Sequence, residues 1–166
     1  MNAIVVFDSV HGNTERIAHA IGEALAPLGD VRVLRTTEVP PDATADAWIV
    51  GGPTHNHGLS RPLASLIASM SGGSLPGIPV ATFDTRYHYP RLLSGSAAHS
   101  AAGKLRATGC HIVTDPESFF VKEGPRPAGG GKPLPETEHL DEGELERARA
   151  WGTQLVDLLA RSWPPL

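Results

Sequence analysis

Apolar residues fall along the chain in two alternating rhythms: short unbroken runs, and longer stretches with three- and four-residue spacing. The runs Ala3-Ile4-Val5-Val6-Phe7, Val31-Arg32-Val33-Leu34, Ala47-Trp48-Ile49-Val50, Val80-Ala81-Thr82-Phe83 and His111-Ile112-Val113 read as strands. The last resumes after Asp115-Pro116 as Ser118-Phe119-Phe120-Val121. Between the runs, Ile17, Ile21, Leu25 and Leu28 recur at helical spacing, with Ala18 and Ala24 widening the face, until Gly29-Asp30 stops the helix. A second helix over 61–71 aligns Leu63, Leu66, Ile67 and Met70, and a third over 96–107 aligns Ala98, Ala101, Ala102 and Leu105. Leu145, Ala148, Gly152, Leu155 and Leu159 mark a final helix, introduced by Asp141, Glu142 and Glu144, acids that suit a helix N-terminus. The segment 38–46 contains Pro40-Pro41 and admits only a short helix or a connector.

Strands without polar alternation, each followed by a helix, predict a parallel sheet covered on both faces. The expected architecture is a doubly wound α/β domain with five parallel strands, spanning 1–166 as one unit. Ligands of such sheets bind beyond the carboxyl ends of the strands at the switch point, so the turns after strands one, three and four should converge. The Pro/Gly-rich insertion over 124–140, with Gly129-Gly130-Gly131, is expected to lack regular structure, either covering the site or running over the surface.

Composition narrows the class. With 40% hydrophobic and 19% charged residues the chain suits a soluble globular protein. No apolar run approaches the roughly 20 residues that span a bilayer, and Met1-Asn2 leads directly into a strand, so a cytoplasmic location is expected, with no membrane partner. The single Cys110 allows no intramolecular disulfide and reads as a small apolar group at a strand entrance. A net charge of −4 argues against nucleic acid.

The chemistry sits in the turns. Ser9-Val10-His11-Gly12-Asn13-Thr14 joins the first strand to the first helix, where unpartnered N–H groups, the helix dipole and hydroxyls can hold a phosphate. The simpler alternative is that Ser9 or Asn13 only caps the helix. Neither a Gly-x-Gly-x-x-Gly nor a Gly-Lys-Ser/Thr pattern is present, which points to a mononucleotide. Gly52-Pro53-Thr54-His55-Asn56-His57-Gly58 follows strand three, and Asp84-Thr85-Arg86-Tyr87-His88-Tyr89-Pro90 follows strand four. Their flat rings can stack on a planar heterocycle. His55, His57 and His88 could instead bind a transition metal, but no carboxylate adjoins the pair, and no metal site is assigned. Arg86 is either a solvated surface residue or a partner for negative charge on a bound ring or substrate. The acids over 136–146 read as a solvated helix approach or a weak docking patch. His19, His99, His111 and His139 have no recognisable partners and are expected at the surface or in structural roles.

With these loops in this order, the chain resembles flavodoxin-type FMN-binding domains over essentially its whole length. The resemblance implies strand order 2-1-3-4-5 and FMN as cofactor. Ser9, Val10, His11, Gly12, Asn13 and Thr14 match the phosphate loop. Pro53, Thr54, His55, Asn56, His57 and Gly58 match the second flavin loop, and Asp84, Thr85, Arg86, Tyr87 and Tyr89 fall in the third. The family often has Thr where this chain has His11, whose imidazole can replace the hydroxyl. It often has a large aromatic where His55 and His57 stand, which shifts stacking towards Tyr87 or Tyr89. The implied function is low-potential electron transfer between a reductase and an acceptor, by a monomer or weak homodimer, with no catalytic residue of its own. An FMN-dependent NAD(P)H:quinone-type reductase and a flavin-free interaction module are the alternatives, and the mild acidity weakens the carrier reading.

Overall fold

A computed structural model describes residues 1–54, 58–70, 75–131 and 139–162. The apolar runs form the strands β1 (Asn2–Phe7), β2 (Asp30–Arg35), β3 (Ala47–Pro53) and β4 (Pro79–Arg86), followed by β5 (His111–Ile112), β6 (Glu117–Lys122) and β7 (His139–Leu140). The periodic stretches form α1 (Asn13–Ala24), α2 (Arg61–Met70), α4 (Ala97–Ala107) and α5 (Glu144–Ser162). A one-turn helix, α3 (Arg91–Ser94), was not expected, because four residues carry no periodicity.

The strands lie in the order β2-β1-β3-β4-β6-β7, with β5 also against β4. The pairs β1–β2, β1–β3, β3–β4, β4–β5 and β4–β6 are parallel, so the expected doubly wound sheet and its strand order are present. The fifth strand is interrupted. His111 and Ile112 pair with Pro79 and Val80, and Glu117 to Phe120 then take over opposite Phe83 to Arg86. Asp115-Pro116 lies in the gap, where proline has no N–H for the ladder.

Two expectations need correction. Asp84, Thr85 and Arg86 were assigned to a turn, but β4 runs on through Arg86 because Asp84 and Thr85 pair with both neighbouring strands and Arg86 with β6. The insertion was expected to be irregular up to 140, but His139 and Leu140 pair antiparallel with Lys122 and Val121. Residues 132–138 of that segment lie outside the described residues.

Alternation along the strands separates two cores. Ala3, Val5 and Phe7 point to the side covered by α1 and α5, where they meet Ile17, Ile21, Leu155 and Leu159. Ile4 and Val6 point to the side of α2 and α4, against Leu63, Ile67 and Leu105. Phe83, Phe119 and Trp151 meet edge-to-face in the first core, with centroids 6.1–6.4 Å apart. Such pairs contribute about 0.5–1.5 kcal/mol beyond their buried area. Gly51 makes room for them, since a Cβ there would stand 2.2 Å from the Phe83 ring. Arg147 fastens α5 to β6, bonding Glu117 at 2.9 Å and Glu144 at 2.7 Å, while its guanidinium lies 4.6 Å from the Phe119 centroid. Cys110 is buried just before β5, as its apolar reading implies.

Candidate functional site at the carboxyl edge

The loop from β1 to α1 turns on Gly12, which occupies the cap position of α1 with φ +86°, a left-handed conformation that glycine adopts without strain. A glycine cap has no side chain to satisfy the first N–H groups of the helix. Ser9 does not supply one either, because its Oγ accepts the Gly12 N–H at 3.1 Å inside the turn. Asn13 is already the first residue of the helix. The side-chain-capped alternative is therefore not what the turn adopts. Val10 and His11 stand exposed at its tip, while Asn13 and Thr14 are 8% and 2% exposed.

Thr14 links this turn to β4, with its Oγ1 2.7 Å from that of Thr85. Two hydroxyls share one internal bond, so one proton remains to be donated elsewhere. Thr85 also accepts, through its carbonyl, the Thr54 N–H at 3.0 Å. The three loop ends expected to converge are thus tied by hydrogen bonds.

Beneath them lies Asp84, which is 0% exposed. Its Oδ2 accepts from Ser96 Oγ at 2.6 Å, Thr54 Oγ1 at 3.1 Å and the Ala98 N–H at 3.1 Å. Thr54 Oγ1 in turn accepts the Ala97 N–H at 3.0 Å. Asp84 thus fastens the end of β3 to the start of α4. Among the described residues its Oδ1 has no hydrogen-bond partner, and Arg86 Nε stands 4.0 Å away.

The rest of the third loop folds towards β6. Arg86 donates to Ser118 Oγ at 3.0 Å and to the Tyr89 carbonyl at 2.8 Å, and its guanidinium lies over Phe120. Arg86 is therefore packed rather than free in solvent. His88 stacks on Phe120 and bonds Asp141. Tyr87 and Tyr89 meet edge-to-face at 6.1 Å, with Tyr89 46% exposed. A hydrogen bond to Glu123 pushes the Tyr89 phenol above its ordinary value, favouring the protonated form. Pro53 ends β3, and half-buried Gly58 lies near the start of α2. His55, Asn56 and His57 lie outside the described residues.

Three residues that matter here were missed in the sequence. Arg35 ends β2 opposite Phe7 and donates to the Ser9 carbonyl at 2.9 Å and to Glu15 at 2.7 Å, bracing the phosphate turn from behind. Parallel register alone would have placed it there. Ser96 caps α4 by accepting the His99 N–H, and half-buried His99 contacts both Ser96 and Arg91 instead of lacking partners. A separate cavity of about 820 Å³ lies between the segment 36–45 and α2, over Trp48, Leu66 and Met70, and touches none of these residues. Among the described residues, no three metal-binding side chains cluster, and no helix is long and apolar enough to cross a membrane.

No protein-family model matches the chain, and no curated protein matches it. Solved structures do. A flavodoxin from the domain Archaea superposes with a TM-score of 0.74 at 23% identity, covering 96% of this chain and 99% of that one. Oxidised flavodoxin 1 from Bacillus cereus gives 0.73 at 19% identity, covering 95% and 98%. The flavodiiron protein from Giardia intestinalis gives 0.71 at 20% identity, with 97% of this chain matching 36% of that longer one. Near end-to-end superposition on chains of this size identifies the fold as that of the flavodoxins.

Proposed function

We propose that the chain binds FMN at the carboxyl edge of its sheet and carries electrons at low potential between redox partner proteins, a reductase and an acceptor. The observation that carries this reading is the glycine-capped start of α1 behind a hydroxyl-bearing turn. A Cβ added at Gly12 would meet nothing within 4 Å, so the space beside this cap residue is open, which suits a phosphate at the start of α1. The superposition on flavodoxins supports the same assignment.

In this reading Ser9, Val10, His11, Gly12, Asn13 and Thr14 surround the phosphate. The remaining proton of the Thr14–Thr85 pair is available to it as one hydroxyl donor. Pro53, Thr54, His55, Asn56, His57 and Gly58 flank one face of the ring, and Tyr87 and Tyr89 the other. Asp84, Thr85 and Arg86 hold these loops in register. Bound FMN supplies electron transfer through its isoalloxazine ring. The protein's part is to orient that ring, limit water around it and leave an edge open to partners. A monomer or weak homodimer in the cytoplasm is the proposed setting.

Fluorescence titration of the purified protein with FMN and riboflavin tests the reading. Tighter binding of FMN is expected. Equal affinity would remove the phosphate assignment, and binding of neither would leave the flavin-free interaction module.

A further inference from the structure

We propose that His99 is a positioning residue of this site, holding Thr54 and the start of α4 in place through Ser96 and Asp84, and that protonation of its imidazole releases them. The consequence for ligand binding rests on the flavin reading above; the hydrogen-bond arrangement does not.

Counting hydrogens fixes the direction of the chain. Ser96 Oγ has one proton and two lone pairs. The proton goes to Asp84 Oδ2, 2.6 Å away. The lone pairs then receive the His99 backbone N–H at 3.3 Å and the ring Nδ1 at 3.0 Å. Nδ1 must therefore carry a proton, which leaves Nε2 of the neutral ring bare. Nε2 faces Arg91 Nη1, a permanent donor. One tautomer satisfies all four contacts.

A proton on Nε2 would set donor against donor and cation against cation. The charged groups that act on the ring are Arg91 of α3, Asp84 and Arg86 of β4, and Asp115 ahead of β6. Burial, then Arg91, hold the imidazole below its ordinary value; Arg86 acts the same way, and Asp84 and Asp115 oppose them. Expelling Arg91 detaches α3 from α4. The ring keeps its Nδ1–H on Ser96, so the release travels along the chain: α3 ends at Ser94, next to Gly95-Ser96, and its loosening reaches the Ser96 bond to Asp84 Oδ2, the shared acceptor for Thr54 and the α4 backbone.

The test compares FMN affinity of the wild type and His99→Asn at about pH 7.5 and about pH 5.5, either side of the ordinary imidazole value. The Asn amide replaces the Nδ1–H donor but does not titrate. Both proteins see the same change in the FMN phosphate, which itself titrates near about pH 6, so their ratio isolates the imidazole. The wild type is expected to lose about three- to tenfold more affinity than the variant over this interval. Equal losses would overturn the proposal.

Nitrogen NMR of the ligand-free protein supplies an independent arm. The expected result is an Nδ1–H ring titrating below 6.5, with Arg91→Ala moving that titration upward. An Nε2–H ring, or a titration indifferent to Arg91→Ala, would overturn the proposal whatever happens to flavin. The expected NMR result without FMN binding by either protein would uphold the hydrogen-bond switch and bring down the flavin reading and the role in it.

Discussion

The hydroxyls of Thr14 and Thr85, 71 residues apart in the chain, lie 2.7 Å apart in the folded protein. This contact joins the phosphate turn to the loop end of β4, and its loss should be felt at both. Thr14→Val and Thr85→Val keep the shape but each leaves one buried hydroxyl without a partner, at about 1–3 kcal/mol. Both are expected to weaken FMN more than riboflavin, and the double variant to lose less than the sum of the two. Strict additivity in a double-mutant cycle of affinity and urea stability would show that the hydroxyls act separately.

Ser9→Ala removes the acceptor that shapes the turn around Gly12. Loss of a bond of about 0.5–1.5 kcal/mol corresponds to roughly two- to tenfold in FMN affinity. His11 is exposed at the tip, so His11→Thr should largely preserve binding. Unchanged FMN affinity in Ser9→Ala, or collapse in His11→Thr, would contradict the assignment.

Gly51→Ala should destabilise the fold, because the new methyl would sit inside the Phe83 ring position. Overpacking typically costs about 1–3 kcal/mol. Phe83→Leu in the same chain should recover part of it, and chemical denaturation of the four proteins of the cycle would show whether it does.

His99 gives stability a pH dependence of known sign. Its folded value is depressed, first by burial and then by Arg91, so its contribution is complete above 6.5, the ordinary value, and is lost as pH falls through the folded value. Urea midpoints should therefore fall faster for the wild type than for His99→Asn as pH drops from 6.5 to the folded value. Parallel curves would show that the ring does not titrate differently on unfolding.

The carrier and reductase readings diverge in a simple assay. FMN-loaded protein is expected to be reduced slowly by NADH or NADPH alone and faster when a flavoprotein or iron–sulfur reductase is added. Turnover of a nicotinamide with a quinone at about 1–1,000 per second would establish the reductase instead. Tyr87→Phe and Tyr89→Phe would then identify any proton donor.

The sheet was legible because both its faces are covered, which writes the inner strands as unbroken apolar runs such as Ala3 to Phe7, each residue of which is at most 3% exposed. Where polar residues enter a strand this signal fails. Asp84, Thr85 and Arg86 looked like a turn, yet the first two pair on both sides, Arg86 pairs with β6, and they bond with residues far away in sequence. The turn between β1 and α1 was readable from Gly12 and its position between an apolar run and a periodic stretch. The partners of Asp84 were not, since Thr54 and Ser96 reach it only through the sheet order and the crossover into α4. His99 looked partnerless for the same reason, because Arg91 lies on a helical turn too short to leave a pattern.

The packing of the last helix on the first has a consequence for how the chain comes into being. Gly152 of α5 lies so close that a Cβ there would stand 2.8 Å from that of Ala24 and 3.1 Å from the Ile21 carbonyl of α1. A ribosome delivers α1 well before α5, so Ile17 and Ile21 wait without their α5 partners while the residues between are made. Native docking of this face comes only once α5 is clear of the exit tunnel, and the nascent chain is most exposed to chaperones and to misassociation until then.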